Sequence, residues 1–374
     1  MLEAGKDLGE VWWWNNYPGA RVDTCWPFYD FSDPDLWQDW TWEERFPGRD
    51  ELCRYFEHVE KKWDVKKDIK FDHFVTKARF DPTHDKWTVY SDKGYTAKAQ
   101  YLLLCTGFAA KPFVPKLTGL ETFGGISYHT AHWPKEGLDV RGKKVGVIGT
   151  GASGVQTIQE IAPHVQQLSV FQRTANHTLP MRQEAYTDQT KQQQQEKPKK
   201  DYPAILKLAK TTFAGWDYDQ LTKTAAEDTP EERRALWESN WTLGGFRPWL
   251  NNYKDLLTNP EVNRVMYDFW RDKVRERLVG LDPELIENLA PLEPQDPFGS
   301  KRPSLEQNYY ELYHQPNDCK SQEESNCRSD ADRSEDGIRG GNRSRYSRLG
   351  HRLRHSHRQS DSDRHPRHQR RESQ

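Results

Sequence analysis

Cysteine, methionine and long apolar runs are what this 374-residue sequence has least of. Its five cysteines, Cys25, Cys53, Cys105, Cys319 and Cys327, form no C-x-x-C pair and no metal-ligand spacing. That excludes a disulfide framework and a zinc module, and it fits reduced thiols in an intracellular protein. No run of 18 apolar residues occurs, and the opening MLEAGKDLGE has neither a basic start nor an apolar centre. The sequence therefore predicts a cytoplasmic protein without a leader or membrane span. No Ser-His-Asp or paired-carboxylate spacing is recognisable either, so a self-contained hydrolytic site has no support. An excess of basic charge is also missing from the body of the chain. From Cys319 to the end there are 14 Lys/Arg against 9 Asp/Glu, so that segment carries +5 of the overall −2 and residues 1–318 carry −7. A body of that sign does not seek nucleic acid.

The C-terminal segment, residues 319–374, is rich in Arg, Ser, His, Asp and Gln with almost no aliphatics. Too little can be buried there to offset ordering entropy, which predicts a disordered tail.

What the sequence has in quantity is aromatic: 15 Trp, 16 Tyr and 15 Phe, many of them between residues 12 and 63. Pro and Gly break the first half of that region into loops, while GRDELCRYFEHVEKKW, from Gly48, has helical apolar spacing. The segments FVTKARF, KWTVY and YTAKAQY alternate with period two and are separated by DPTHD and SDKG, which predicts a three-stranded meander. YLLLCTG, from Tyr101, is a short continuous apolar run and predicts a strand buried on both faces. LSVFQRT, from Leu168, predicts a second such strand. Between residues 183 and 290 polar QTKQQQQEKPKK leads into PEERRALWESNW, NPEVNRVMYDFWRDKVRERLV and DPELIENLA. Each of these three helical stretches starts on Pro, Asp or Asn near a plausible cap.

The motif that carries chemistry is KKVGVIGTGASGVQTIQEIAP. An apolar strand, Val145 to Ile148, runs directly into Gly149-x-Gly151-x-x-Gly154, and an amphipathic helix follows. In that context the glycines permit a tight turn and close backbone approach, and the helix N-terminus faces a pyrophosphate. Thr150, Ala152 and Ser153 complete the loop. About 20 residues on, where an acidic side chain would hold a ribose 2′-hydroxyl, the sequence reads Gln172-Arg173-Thr174. A cation and a hydroxyl at Arg173 and Thr174 favour a 2′-phosphate, hence NADPH.

Immediately upstream lies Phe123-x-Gly125-x-x-x-His129-x-x-x-Trp133-Pro134, which a dinucleotide site alone does not require. This pattern matches the fingerprint of the flavin-dependent Baeyer–Villiger monooxygenases, and the chain is identified as resembling that family from residue 2 to about 318. The resemblance implies an α/β fold of two Rossmann-like dinucleotide-binding domains with a helical insertion. Its boundaries would be 1–118 for a partial FAD-binding domain and 119–142 for an interdomain linker carrying the fingerprint. An NADPH-binding core at 143–182, the helical insertion at 183–290 and a return segment at 291–318 would follow. It also implies FAD and NADPH as cofactors and the insertion of one oxygen atom of O2 into a ketone, giving an ester or lactone. The aromatic loops suggest a bulky ketone of the secondary-metabolite or steroid kind.

By the same resemblance LEAGKDLGEVWWWNNYPGARVD would run from the second strand of the FAD domain into a flavin-facing loop. Glu3 would hold the FAD ribose, and Trp14, Tyr17 and Arg21 would lie along the flavin side. Asp23 would position the catalytic arginine. CTGF, from Cys105, resembles a domain crossover. In DPFGSKRPSLEQNYYELYHQPN, Lys301 would meet the NADPH ribose phosphate and Arg302 would be the catalytic arginine, permanently cationic and suited to developing anions. The family's first strand and first glycine fingerprint would precede residue 1, and the segment after Asn317 reads like translation out of frame, so truncation at both ends is expected. Three alternatives stay open: nucleotide binding without catalysis, N- or S-oxygenation, and polyanion binding by the Arg-rich tail.

Overall fold

A computed structural model describes residues 1–107, 111–315 and 320–323, with the backbone alone at 192–200 and 320–323. The chain divides into a large unit, Met1–Pro115 with Ile126–Cys327, and a second unit that contains Lys116–Gly125.

The aromatic N-terminal region of the large unit is mostly loop. It carries two single-turn helices, α1 (Val11–Trp14) and α2 (Pro34–Trp37), and one long helix, α3 (Arg49–Trp63). Helix α3 buries Leu52, Tyr55 and Val59 along one stripe and ends where Asp64 turns left-handed at φ 49°. The predicted meander follows as β1 (Val75–Asp81), β2 (Lys86–Ser91) and β3 (Thr96–Ala99), antiparallel in that order. Phe80 pairs with Trp87 across it.

The run from Tyr101 departs from expectation. Residues 101–107 form no strand, and Tyr101, Leu103 and Leu104 are 77%, 84% and 74% exposed. A strand buried on both faces needs neighbours on its edges and cover on its faces, and no described residues supply them. Cys105, Thr106 and Gly107 of the expected crossover are described; Phe108 lies outside the described residues.

The next sheet is the parallel one. Strand β4 (Lys144–Ile148) leads through the glycine loop into α4 (Ala152–Ile161) and then β5 (Gln167–Gln172), which pairs parallel with β4. This is a strand–helix–strand unit of the kind the motif predicts. A second correction lies on the other edge of β5. Strand β8 (Lys320–Glu323) pairs parallel with it, inside the segment expected to be wholly disordered. Backbone hydrogen bonds to an open strand edge do not require aliphatic side chains, so composition alone misjudges those four residues. The rest of the tail lies outside the described residues.

Between β5 and β8 come β6 (Leu179–Pro180), α5 (Asp188–Ala209), α6 (Pro230–Leu243), α7 (Arg247–Leu250), α8 (Pro260–Arg277), α9 (Pro283–Leu289) and β7 (Leu305–Glu306). The caps explain the boundaries. Thr229 and Glu232 form a capping box on α6, Asn259 caps α8 and Asp282 caps α9, each with Pro at the first helical position. The polar QTKQQQQEKPKK, expected only to lead into helices, is itself part of α5. One buried cluster joins these elements. Val22, Phe46 and Tyr55 from the N-terminal region meet Val155 and Ile158 of α4, Leu168 and Val170 of β5, and Tyr267 and Trp270 of α8 in the same core.

Candidate functional site

The loop between β4 and α4 has the geometry its glycines predict. Gly149 turns at φ 96°, a region that favours glycine, and its amide donates to Phe171 O at 2.7 Å. A Cβ on Gly154 would stand 2.2 Å from Gly149 O, so only glycine fits where the helix closes on the loop. At Gly149 and Gly151 an added Cβ would meet nothing within 4 Å, which leaves open space on the outer side of the loop. Gly151 caps α4 without a side-chain hydrogen bond, and no acidic residue occupies the first turn at Ala152 and Ser153. The amides that begin α4 are therefore available to an anion, and the helix dipole favours one.

The loop is braced from below. Thr150 is buried, and its carbonyl accepts from Asn176 Nδ2 at 2.5 Å; the same amide group reaches Ser304 Oγ at 2.6 Å. Gln172 at the end of β5 donates to Asn288 O. Arg173, the next residue, is exposed, and Thr174 is half-buried. Lys301, which is also exposed, is paired with Asp296. Asn176 and Ser304 escaped the reading of the sequence. Isolated polar residues in a loop carry no spacing that distinguishes a brace from a solvated side chain.

The structure brings Asp23 and Arg302 together across 279 residues of sequence, with Arg302 Nη2 at 2.7 and 2.6 Å from the two carboxylate oxygens. The guanidinium also lies 5.1 Å from the centre of the Phe246 ring. Its side chain is 60% exposed and that of Asp23 28%. Arg21 pairs instead with Glu44 at 2.8 Å. Tyr17 is buried and donates to Gln156 Oε1 on α4 at 2.8 Å. Burial pushes the Tyr17 hydroxyl above its ordinary value, against an opposing hydrogen bond with Ser153, and the Asp23 charge adds to the rise. Trp14 is 46% exposed on α1, and Glu3 Oε1 accepts from the Gly5 amide at 2.6 Å.

The fingerprint residues fall in both units. Phe123 and Gly125 belong to the Lys116–Gly125 unit, where a Cβ on Gly125 would strike the Phe123 ring at 2.7 Å. In the large unit His129 caps the turn Thr130–His132, its Nδ1 accepting from the Ala131 amide at 3.1 Å. Trp133 is half-buried. Pro134 O accepts from Asn16 Nδ2 at 3.0 Å, and the Lys135 ammonium sits 4.6 Å over the Trp13 ring and donates to Trp13 O. The Trp-Pro end of the fingerprint is thus tied to the segment that leads into Tyr17.

Ionisable groups outside this arrangement are also shifted by burial, among them His177 and Asp30. His177, packed among Tyr267, Trp270 and Phe298, is pulled down to about 4 by burial. Asp30 is pushed up to about 7 by burial, although Trp42 Nε1 donates to it at 2.6 Å. Among the described residues no group of three or more His, Cys, Asp or Glu could hold a metal ion. No helix among them is long and apolar enough to cross a membrane.

Comparison with known proteins agrees on one lineage. Residues 19–187 match the family described as flavin-binding monooxygenase-like. Cyclopentanone 1,2-monooxygenase of Comamonas sp. (strain NCIMB 9872) is 44% identical over 317 residues, covering 85% of this chain and 56% of that protein. A Baeyer-Villiger monooxygenase of Pseudooceanicola batsensis (strain ATCC BAA-863 / DSM 15984 / KCTC 12145 / HTCC2597) is 33% identical, covering 84% of this chain and 56% of that protein. Among solved structures, an oxidized steroid monooxygenase bound to NADP superposes with a TM-score of 0.79 at 37% identity, over 86% of this chain and 60% of that one. The chain therefore spans little more than half the length of the curated relatives it matches.

Proposed function

The chain belongs to the flavin-dependent Baeyer–Villiger monooxygenase family, and on that premise we propose that it works with FAD and NADPH to insert one oxygen atom of O2 into a ketone. The product is an ester or lactone. The observation that carries this reading is the Asp23–Arg302 ion pair, closed at 2.6 Å between segments at opposite ends of the described chain. A guanidinium fixed by a carboxylate and an aromatic ring keeps one orientation and its charge at any working pH. Two exposed edges of chemistry flank it in the proposal: the dinucleotide loop and the flavin-facing stretch.

The residues fit both cofactors. Gly149, Thr150, Gly151, Ala152, Ser153 and Gly154 form a cradle with open amides for the NADPH pyrophosphate, and Arg173, Thr174 and Lys301 supply charge and a hydroxyl for a 2′-phosphate. Lys301 would exchange its Asp296 partner for that phosphate. Glu3, with one carboxylate oxygen held by Gly5, keeps the other for a ribose hydroxyl of FAD, and Trp14, Tyr17 and Arg21 line the flavin side. When bound, the flavin supplies the oxidation and NADPH the reducing equivalents. Arg302 binds the oxyanion that develops on the substrate, and Asp23 holds Arg302 in register. His129, Trp133 and Pro134 act as a strut that ties the linker to residues 13–16. Phe123 and Gly125 set the turn before it.

On domains, we assign 1–118 to the FAD side, 119–142 to the linker, 143–182 to the NADPH core, 183–290 to the helical insertion and 291–318 to its return. A bulky ketone suits the aromatic loops, and the Comamonas relative is named for a cyclic one. The described cysteines, Cys25, Cys53 and Cys105, are unpaired, which supports work in the reducing cytoplasm. A second reading, nucleotide binding without catalysis, is favoured by the bare apolar run at Tyr101–Cys105.

The deciding experiment is the visible spectrum of the purified chain after incubation with FAD and gel filtration, then with NADPH under anaerobic conditions. Flavin bands that travel with the protein and bleach on NADPH support the first reading, and ketone turnover follows. Colourless protein that still binds NADPH overturns it in favour of the second.

A further inference from the structure

Helix α4 does more than present its N-terminus. Two residues after Gly154 it carries Gln156, which is only 7% exposed. Both ends of this buried amide are spent on the N-terminal segment: Oε1 accepts from Tyr17 Oη at 2.8 Å, and Nε2 donates to Arg21 O at 3.1 Å. Between those contacts Gly19, at φ 75°, lies so close to the helix that a Cβ there would stand 2.6 Å from Gln156 O. Two residues beyond Arg21 comes Asp23, whose carboxylate holds Arg302.

We propose that Gln156 is a positioning residue that couples dinucleotide occupancy of the Gly149–Gly154 loop to the placement of the Asp23–Arg302 pair. The physical chain is short and continuous. An anion on the amides of Gly151 to Ser153 fixes the first turn of α4, and Gln156 follows that turn directly along the helix. Gln156 holds Tyr17 and Arg21, and the backbone from Arg21 to Asp23 has two residues in which to lose the constraint. A buried amide with both ends engaged transmits such a constraint because releasing either end leaves an unsatisfied buried polar group. An apolar side chain of the same size would pack as well and transmit nothing directional. The inference rests on the loop being a dinucleotide site, and it adds the route by which that site is felt at Arg302.

The test is hydrogen–deuterium exchange on the full 374-residue chain, with and without NADP⁺, read on peptides covering 15–25 and 149–161. In the native protein NADP⁺ slows exchange in both peptides, by about tenfold or more. In Gln156→Leu the slowing persists at 149–161 and falls below about twofold at 15–25. Tyr17→Phe, which removes one hydroxyl and keeps the ring, gives an intermediate loss. Gln156→Glu keeps the acceptor for Tyr17 and retains more of the effect than Leu. These two variants carry the test should Gln156→Leu fail to fold. A purely structural role would raise exchange at 15–25 equally with and without NADP⁺, leaving the ratio untouched, and that result overturns the proposal. Protection at 149–161 alone in the native chain overturns it too and leaves the dinucleotide site standing. Protection at neither peptide removes the site and the coupling together.

Discussion

The run at 168–172 and the run at 101–105 both read as buried strands in the sequence, and their surroundings are opposite. Leu168 and Val170 are 0% exposed, because β5 has β4 on one edge, β8 on the other and shares its core with α4. Leu103 and Leu104 stand largely in solvent, with no strand beside them among the described residues. The difference teaches that an apolar run states a demand for neighbours and does not by itself secure them. The same holds for energy: burying a leucine side chain is worth roughly 1.5–3 kcal/mol, and the 101–105 run collects almost none of it.

The comparison can be broken most directly at Leu168. Leu168→Ala opens a cavity in the shared core and is expected to lower unfolding free energy by about 2–5 kcal/mol in urea denaturation. A loss below 1 kcal/mol would mean that β5 is not better buried than the 101–105 run in solution.

Asp30 sharpens it from the polar side. Its folded carboxyl titrates at about 7, whereas an unfolded Asp titrates at about 4. The folded state therefore binds the proton more tightly, and its contribution to stability, full below about pH 4, is lost as pH rises to about 7. Asp30→Asn removes that loss, so the variant gains on the native protein between pH 4 and 8, by on the order of 2 kcal/mol. His177 titrates in the opposite sense but does so in both proteins, and cancels in the difference. Parallel urea series at pH 4.5 and 8 check this, and an unchanged difference would place Asp30 in water.

Gly154→Ala tests the loop that the buried sheet supports. With a Cβ 2.2 Å from Gly149 O, the loop must open, and NADPH affinity is expected to fall at least about tenfold, or about 1.4 kcal/mol. A fluorescence titration reads it. The smallest effect is expected at the bare run, where Leu103→Ser should change unfolding free energy by less than about 0.5 kcal/mol. A larger loss would show that these residues are covered in solution.

What was legible in the sequence follows from how local each constraint is. Gly149 needs a positive φ and Gly154 needs the absence of a Cβ, so both announce themselves within six residues. Thr229, Asn259 and Asp282 cap helices whose first residue is Pro, and those starts were readable for the same reason. The meander was legible because its turns and its alternation are adjacent in the chain. The bare run at Tyr101 was not, since its fate depends on strands that no local pattern reports. Strand β8 was hidden by its composition, because its pairing uses backbone. The Asp23–Arg302 pair was reachable only through resemblance: as bare residues they are two charges 279 positions apart. Gln156 was invisible, although a glutamine on the buried stripe of an amphipathic helix is a signal that could have been weighed.

The separation between Asp23 and Arg302 also has a meaning in time. A chain made at roughly 5–20 residues per second completes Arg302 some 15–60 s after Asp23, far longer than local helices and hairpins need to form. During that interval the N-terminal aromatic region must fold around an acidic group whose counter-charge does not yet exist. The pair is therefore among the last contacts the growing chain can close, and a polypeptide released before residue 302 would carry the glycine loop with neither its Ser304 brace nor an arginine to answer it.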